Sequence, residues 1–331
     1  MRSLTAVPQV LHDLAARQEG LVSVRQCYAA GVDRRRIGRL VDRGVWRTEG
    51  GRVLDTDPVE PGKRVRDDYF DHLRRRSAVK GLLVWPGTAA VGPAALALHG
   101  VGGLPRRIDP EISFPRGTRH QGRDGVLVRQ YGNFASQRYG DWRIARIEYA
   151  LAQALPDLSR DDGVAVVSSA LNKNLMDEAG LADVERLLHG RRGSVEAVDR
   201  LRLADGRDES PAETRARLSC VDHGVPPHRL QVVFRRGGQF LGRCDLGWRL
   251  RDGRWLVVEI DGVRPHSTPE ALIKDAPRQN RLLATDKVVL LRFKPADNDR
   301  PGGIGAVVVA HLKDLPAQSP PPARPADIHL D

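Results

Sequence analysis

The hydrophobic pattern changes along the chain, from helical spacing near the N-terminus to strand-like runs near the C-terminus. Apolar residues recur every three or four positions up to about residue 43, whereas the runs between residues 229 and 293 alternate or are continuous. Residues 82–204 mix both patterns. We therefore predict a multidomain α+β protein: a helical N-terminal segment, a mixed α/β middle region, and a C-terminal mixed sheet flanked by helices.

Changes in composition predict where these segments meet. A charged stretch punctuated by proline and glycine, and then a helix, separates the N-terminal segment from the middle region. The end of the chain is Pro-rich and too poor in apolar residues to pack, so we expect it to be disordered. The predicted divisions are an N-terminal domain at 1–57, a linker and helix at 58–81, a middle domain at 82–204, a C-terminal domain at 205–315 and a tail at 316–331.

The first 57 residues predict three short helices followed by a hairpin. The helices are expected at Val7–Gln18, Val24–Ala30 and Arg34–Arg43. Ser23 and Asp33 stand at N-cap positions, and a glycine follows each of the last two helices. Three short helices joined by tight turns indicate a helix-turn-helix, and the strand–turn–strand pattern over residues 45–54 would be its wing.

The third helix has one apolar and one basic side. At about 100° per residue, Ile37, Leu40 and Val41 fall together. The opposite side carries Arg35, Arg36, Arg39 and Arg43. Arginine pairs with guanine or holds phosphates, so we predict that these four residues and Arg47 of the wing bind DNA. The alternative is an ordinary solvated helix face, but residues 1–52 hold ten Lys or Arg against five Asp or Glu.

Composition narrows the functional classes. Mean hydropathy is −0.40, with no apolar run long enough for a membrane span and no signal peptide, which predicts a soluble, cytoplasmic protein with no membrane partner. Cys27, Cys220 and Cys244 are scattered, which argues against structural zinc. The net charge of +11 permits a polyanionic partner. Scattered arginines encoded by a GC-rich genome would give the same charge.

Acidic residues follow two neighbouring strand-like runs near the C-terminus. Asp245 ends one run, Glu259 and Asp261 end the next, and His266 follows. Oxygen ligands that converge in this way suit Mg²⁺. Glu259 and Asp261 should share a strand face, where two like charges favour a bound cation or a raised pKa. The alternative for Asp245 is a turn residue at a strand end.

The elements around these acids are predicted to alternate in type. A helix opens at Ser210 and Pro211, and Glu213 at its third position would complete a capping box, which explains Glu213 as well as a functional role does. Three antiparallel strands, a helix and a buried strand follow. The strands are expected at Arg229–Phe234, Phe240–Trp248, Trp255–Ile260 and Lys287–Phe293. This α-β-β-β-α-β order builds a mixed sheet between helices.

Five blocks in this order resemble the PD-(D/E)XK nucleases, and more closely the domains related to very-short-patch-repair endonucleases. The blocks are Ser210-Pro211-Ala212-Glu213, Gly242-Arg243-Cys244-Asp245, Glu259-Ile260-Asp261-Gly262 with His266, Asp275 with Arg278 and Leu282, and Leu290-Leu291-Arg292-Phe293. The resemblance implies a restriction-endonuclease-like α/β/α fold that cleaves phosphodiesters with Mg²⁺.

The same resemblance assigns roles within the site. Asp245, Glu259 and Asp261 would hold the metal, with Glu213 close by. His266 would be a general base or a donor to the scissile phosphate. Arg278 and Arg281 would bind phosphates of the DNA or pair with the carboxylates. Asp261 departs from the broader fold, which has lysine there, and Pro277 interrupts the expected helix.

Residues 12–57 resemble the winged-helix domain of AbiEi-type antitoxins and related regulators. The likeness rests on the stretch GLVSVRQCYAAGVDRRRIGRL and the hairpin after it, and the helix over Val91–Gly100 resembles the one that follows in those regulators. It implies DNA binding in a repressor or antitoxin role. A cognate toxin, another protein partner and a homodimer stay open.

Two functions therefore stand. In the first, the protein is a DNA endonuclease whose winged helix delivers a Mg²⁺ site to its target. In the second, it is an antitoxin-like transcriptional regulator whose nuclease-like domain is inactive.

Overall fold

The computed structural model describes residues 7–58, 68–261, 282–318 and 327–330. The fold is mixed α/β and divides into two compact units. The first unit comprises Met1–Val166 and Asn174–Arg202, and the second comprises Val167–Lys173 and Leu203–Asp331. No helix in the described ranges combines the length and apolarity needed to cross a bilayer.

The first unit opens with three helices and a small antiparallel sheet of order β1-β3-β2. The elements are α1 (Gln9–Arg17), β1 (Leu21–Ser23), α2 (Val24–Ala29), α3 (Arg34–Asp42), β2 (Arg47–Thr48) and β3 (Val53–Asp55). The hydroxyl of Ser23 and the carboxylate of Asp33 accept the N–H groups of Gln26 and Arg36 at 3.2 and 2.7 Å, so both predicted caps are present. Strand β1 was not predicted, because three residues between two helices are too few to show the alternation of apolar and polar positions that marks a strand.

A buried core holds these elements together. Its members include Leu11, Val22, Cys27, Ile37, Leu40, Trp46 and Leu54. Because Ile37 and Leu40 point into this core, the opposite side of α3 is left to solvent. The apolar side predicted for this helix is therefore its packed side.

Helix α4 (Tyr69–Val84) is tied to this N-terminal segment by one buried and one half-buried ion pair. The fully buried carboxylate of Asp55 lies 2.8 Å from the guanidinium of Arg76, and Glu19 accepts from Arg75 at 2.7 Å. A buried pair needs such hydrogen bonding to offset its desolvation. The sequence placed a domain limit at residue 57, whereas the contacts group residues 7–58 and α4 in one compact unit.

The rest of the first unit contains a five-stranded mixed sheet of order β6-β5-β4-β8-β7. Its strands are β4 (Ala89–Ala90), β5 (Glu111–Ser113), β6 (Leu127–Arg129), β7 (Ser136–Tyr139) and β8 (Trp142–Ala145). The helices in this part of the chain are α5 (Gly92–Leu98), α6 (Ile147–Ala154), α7 (Arg160–Asn172), α8 (Glu178–Leu188) and α9 (Ser194–Leu203). Helices α7 and α9 end in residues that belong to the second unit.

The second unit is built on a five-stranded sheet of order β12-β11-β10-β9-β13. Its elements are α10 (Pro211–Asp222), β9 (Arg229–Arg236), β10 (Gln239–Arg249), β11 (Trp255–Ile260), β12 (Val288–Phe293), α11 (Gly303–Asp314) and β13 (Ile328–His329). Strands β9, β10 and β11 are antiparallel, and β12 runs parallel to β11. Gly237 and Gly238, both with positive φ, form the two-residue turn of the β9–β10 hairpin.

Helices α10 and α11 share a core with the sheet. The shared residues include Ala216, Cys220, Leu246, Trp248, Leu256, Val258, Ile304 and Val308. A buried pair between Arg217 and Asp208, 2.7 Å apart, fixes the segment that enters α10. This packing sets the first turn of α10 beside the sheet.

Part of the predicted disordered tail is ordered. Strand β13 pairs in parallel with β9, and Leu330 is buried in the core that contains Phe234. Ala317 bridges to Leu250. The prediction of disorder rested on the proline-rich composition of the whole tail, and it did not consider separately the short segment at 328–330, which contains two apolar residues, Ile328 and Leu330.

Candidate functional site

Asp245 and Glu259 lie where the ladder between β10 and β11 ends. The last pair in that ladder is Leu246 with Val258, and the two acids are the next residues along their strands. The Asp245 carboxylate accepts the backbone N–H of Ile260 at 2.7 Å. This bond holds Asp245 at the end of β11, one residue from Glu259.

Asp245 and Glu213 are easier to protonate than solvated carboxyl groups. Burial raises the pKa of Asp245 to about 6, where the N–H of Ile260 opposes the shift and the charge of Glu259 adds to it. Burial also raises the pKa of Glu213 to about 7, and the charge of Asp245 contributes in the same direction. The three carboxyl groups therefore form a chain in which each neighbour disfavours the next negative charge.

Glu213 reaches the cluster from the first turn of α10. Its carboxylate accepts from Gln231 Nε2 at 2.8 Å and from the backbone N–H of Glu209 at 2.9 Å. The Ser210 hydroxyl accepts the N–H of Glu213, so one half of the predicted capping box is present. The other half differs, because the Glu213 side chain accepts the N–H of Glu209, one residue before the cap.

Gln231 is held in an unusual backbone conformation. Its φ of +51° lies in the left-handed region that non-glycine residues rarely adopt. Such conformations cost on the order of 1 to 3 kcal/mol and concentrate at functional sites. The side chain of this same residue donates its hydrogen bond to Glu213.

Asp261 is engaged by an arginine of the neighbouring strand. Arg292 lies opposite Glu259 in the parallel β11–β12 ladder and donates through Nε to Asp261 at 2.9 Å. The same guanidinium is 3.8 Å from the Glu259 carboxylate. Glu259 and Asp261 therefore share one counter-charge, as expected for acids two residues apart on one face.

Among the residues that the structure describes, no three His, Cys, Asp or Glu side chains converge in a metal-binding geometry. Asp245 and Glu259 are the neighbouring pair that could hold a cation, and Asp261 is neutralised by Arg292. His266, Arg278 and Arg281 lie outside the described residues.

Several partners of the cluster were not predicted from the sequence. Arg243 donates to Glu209 at 2.7 Å and lowers the pKa of Asp245, and its spacing of two residues from Asp245 was an available signal. Glu209 and Gln231 join the cluster only through tertiary packing, which leaves no signal in the local pattern.

The predicted DNA-binding arginines divide into two kinds. Arg35 and Arg39 are exposed on α3, Arg43 is exposed at its C-cap, and Arg36 is half-buried beside them. Arg47 is bonded to the buried Asp55 at 3.1 Å and lies 3.8 Å from Glu49, although half of its side chain stays exposed. The α3 arginines therefore offer a solvent-facing basic side, whereas Arg47 also stabilises the hairpin.

Comparison with known proteins assigns no activity. No family model matches the chain. It is similar to two uncharacterised proteins of Mycobacterium tuberculosis, from strains CDC 1551 / Oshkosh and H37Rv. Each is 27% identical over 196 residues, which covers 59% of this chain and 71% of the relative.

Proposed function

We propose that the protein binds DNA and cleaves phosphodiester bonds with Mg²⁺ at the Asp245–Glu259 pair. The observation that carries this proposal is the position of the two acids at the end of the β10–β11 ladder, with Glu213 electrostatically coupled to Asp245. The order α10-β9-β10-β11, followed by a parallel β12 and by α11, supports a restriction-endonuclease-like fold for the second unit.

The carboxylates of Asp245 and Glu259 are suitable ligands for Mg²⁺. Mg²⁺ keeps several waters and is usually held by one or two carboxylates together with substrate phosphates. Asp245 and Glu259 provide two carboxylates. Burial raises the pKa of Asp245 and the charge of Glu259 adds to the shift, and a cation would relieve the second of these effects. When bound, Mg²⁺ would polarise the phosphate and make a bound water more acidic.

The other residues have roles that follow from their surroundings. Glu213, with a pKa of about 7, can exchange a proton near neutral pH beside Asp245. Arg292 holds Asp261 and balances part of the charge of Glu259. The resemblance to repair nucleases adds His266 as a general base.

The first unit would deliver this site to DNA. Three helices followed by a hairpin, with a third strand in the sheet, are the elements of a winged helix. In that class of domain the exposed arginines of α3 would enter the major groove. The exposure of Arg35, Arg39 and Arg43 supports this assignment.

Plasmid nicking tests the proposed cleavage. We expect Asp245→Asn to reduce Mg²⁺- or Mn²⁺-dependent nicking by at least about 100-fold, because the loss of a metal ligand removes several kcal/mol of transition-state stabilisation. Asparagine keeps an oxygen that can accept the N–H of Ile260, so the fold should persist.

Asp252→Asn is the matched control, because it changes an exposed acid in the turn between β10 and β11. That variant should nick like the wild type. Wild-type protein that cleaves no tested DNA with either metal would contradict the proposed activity.

A second function is favoured by one observation. The carboxylate of Asp261 is hydrogen-bonded to Arg292. The described residues therefore bring no third metal ligand to Asp245 and Glu259. This arrangement would suit an antitoxin-like regulator whose nuclease-like unit is inactive.

The regulator hypothesis predicts a specific footprint upstream of the protein's own gene. We expect Arg35→Ala together with Arg39→Ala to abolish that footprint, because both guanidinium groups face solvent on α3. The control pair is Arg186→Ala with Arg202→Ala, exposed on α8 and α9. A footprint unchanged by the α3 substitutions would eliminate α3 as the recognition helix.

A further inference from the structure

The connection between β5 and β6 concentrates positive charge. We name residues 114–126 the basic loop. Over eight consecutive positions it contains no acid and four basic residues, which are Arg116, Arg119, His120 and Arg123. Asp124 follows them directly. Such a run is often a mobile, solvated segment, so its contacts decide what it can do.

Aromatic packing fixes the basic loop to the end of α4. The guanidinium carbon of Arg123 lies 3.6 Å from the ring centroid of Trp85, and the same side chain donates to the carbonyl of Val84 at 3.1 Å. Phe114 packs edge-on against Trp85, and His120 packs on Phe114 with centroids 4.0 Å apart. The loop is therefore a fixed platform, and ordering it on binding would cost little entropy.

The basic loop touches the hairpin of β2 and β3. Asp124 accepts the backbone N–H of Gly51, in the turn of that hairpin, at 3.0 Å. The approach is close, because a Cβ added to Gly50 would lie 3.0 Å from the Cβ of Asp124. The platform and the proposed wing thus form one continuous surface.

Two arginines of the loop face solvent. Arg116 and Arg119 are exposed, and neither side chain forms an ion pair or hydrogen bond with another described residue. Arg116 has a φ of +61°, which is strained for a residue other than glycine. Strain of this kind is maintained where the surrounding structure fixes it, and it is concentrated at functional surfaces.

We infer that the basic loop is a second DNA-binding element, in which Arg116 and Arg119 hold backbone phosphates beside those contacted by the hairpin. The inference rests on the proposed DNA-binding function and extends its footprint beyond α3 and the wing. Phosphate contacts position a protein on the duplex without reading sequence. The loop would therefore add affinity equally at specific and non-specific sites.

Fluorescence anisotropy tests the inference. It measures how tightly the full-length protein binds a short random-sequence duplex at a series of salt concentrations. We expect Arg116→Ala with Arg119→Ala to weaken binding by about tenfold and to reduce the slope of log Kd against log salt by about two, one for each phosphate contact. Both side chains are exposed, so the thermal unfolding curve should not change.

The control is Arg107→Ala with Arg138→Ala, which removes the same charge from two other exposed positions of the first unit. This pair should retain wild-type affinity and slope. If Arg35→Ala with Arg39→Ala weakens binding while the loop variant matches the control, the inference alone fails. If the wild-type protein does not bind DNA, the proposed function fails and the inference falls with it.

Discussion

Two carboxyl groups, the buried Glu213 and the half-buried Asp245, give the candidate site its electrostatic character. Each has a raised pKa because burial and a neighbouring acid both disfavour the negative charge. Glu213 keeps two hydrogen-bond donors, Gln231 Nε2 and the N–H of Glu209. The bonds with Glu209 and Ser210 limit the shift of its pKa without cancelling it. At neutral pH the cluster thus holds protons that a solvated acid would have lost.

This proton uptake makes stability fall as pH rises. The folded state binds more protons than the unfolded chain between about pH 4.5 and 7, so the free energy of unfolding decreases across that range. Glu213→Gln removes the titrating group and keeps an oxygen for both donors. We expect the variant to flatten the pH dependence and to be more stable than the wild type by roughly 2 to 3 kcal/mol at about pH 8.

Urea denaturation at about pH 5 and about pH 8 measures the effect, because the two proteins should differ much more at the higher pH. The control is Glu185→Gln on the exposed side of α8, which should keep the wild-type pH dependence. A Glu213→Gln variant that loses stability with pH as steeply as the wild type would show that Glu213 titrates like a solvated acid.

The residues of the cluster differ in how far the sequence could predict them. Asp245 and Glu259 were predicted to approach each other, and each is the next residue after the last pair of the β10–β11 ladder. Their role as metal ligands stays a prediction. Asp261 was expected in the same site, but its contact with Arg292 depends on the parallel register of β11 and β12. Register of this kind is set by the whole sheet, so the sequence pattern could not give it.

At the scale of elements, the limits of a strand or helix were predicted well where a turn or a cap residue marks its end in the sequence. The strand expected at Trp255–Ile260 has those limits in the structure, because a charged turn precedes a run that is apolar except for Glu259. The helices with a cap residue, α2 and α3, end within one residue of their predicted limits. Local signals of this kind act before any tertiary contact forms.

The elements that were missed lack a local signal. Strands β7 and β8 are polar or short, and they exist because each pairs with the other at the edge of the sheet. Strand β13 needs β9 as a partner at a distance of about ninety residues in sequence. Such pairings are stabilised by cross-strand contacts, which the propensity of a three-residue window does not record.

At the scale of the molecule, the proposed functions use different compact units. The arginines of α3 and the basic loop belong to the first unit, whereas Asp245, Glu259 and Glu213 belong to the second. The net charge of +11 permits a polyanionic partner, as the proposed DNA binding requires. If the two sites act independently, substitutions in one should leave the binding equilibrium of the other unchanged.

Calorimetric unfolding with and without Mg²⁺, together with DNA binding by anisotropy, tests this independence in the full-length chain. We expect excess Mg²⁺ at about pH 8 to raise the unfolding temperature of the wild type by a few degrees, since a ligand at 100 times its Kd stabilises by about 2.7 kcal/mol. Asp245→Asn should lose this rise and keep its affinity for DNA. Arg35→Ala with Arg39→Ala should show the reverse, because its carboxylates are intact. If either variant loses both responses while its circular dichroism stays that of the wild type, the two sites form one coupled system and the assignment of one function to each unit is wrong.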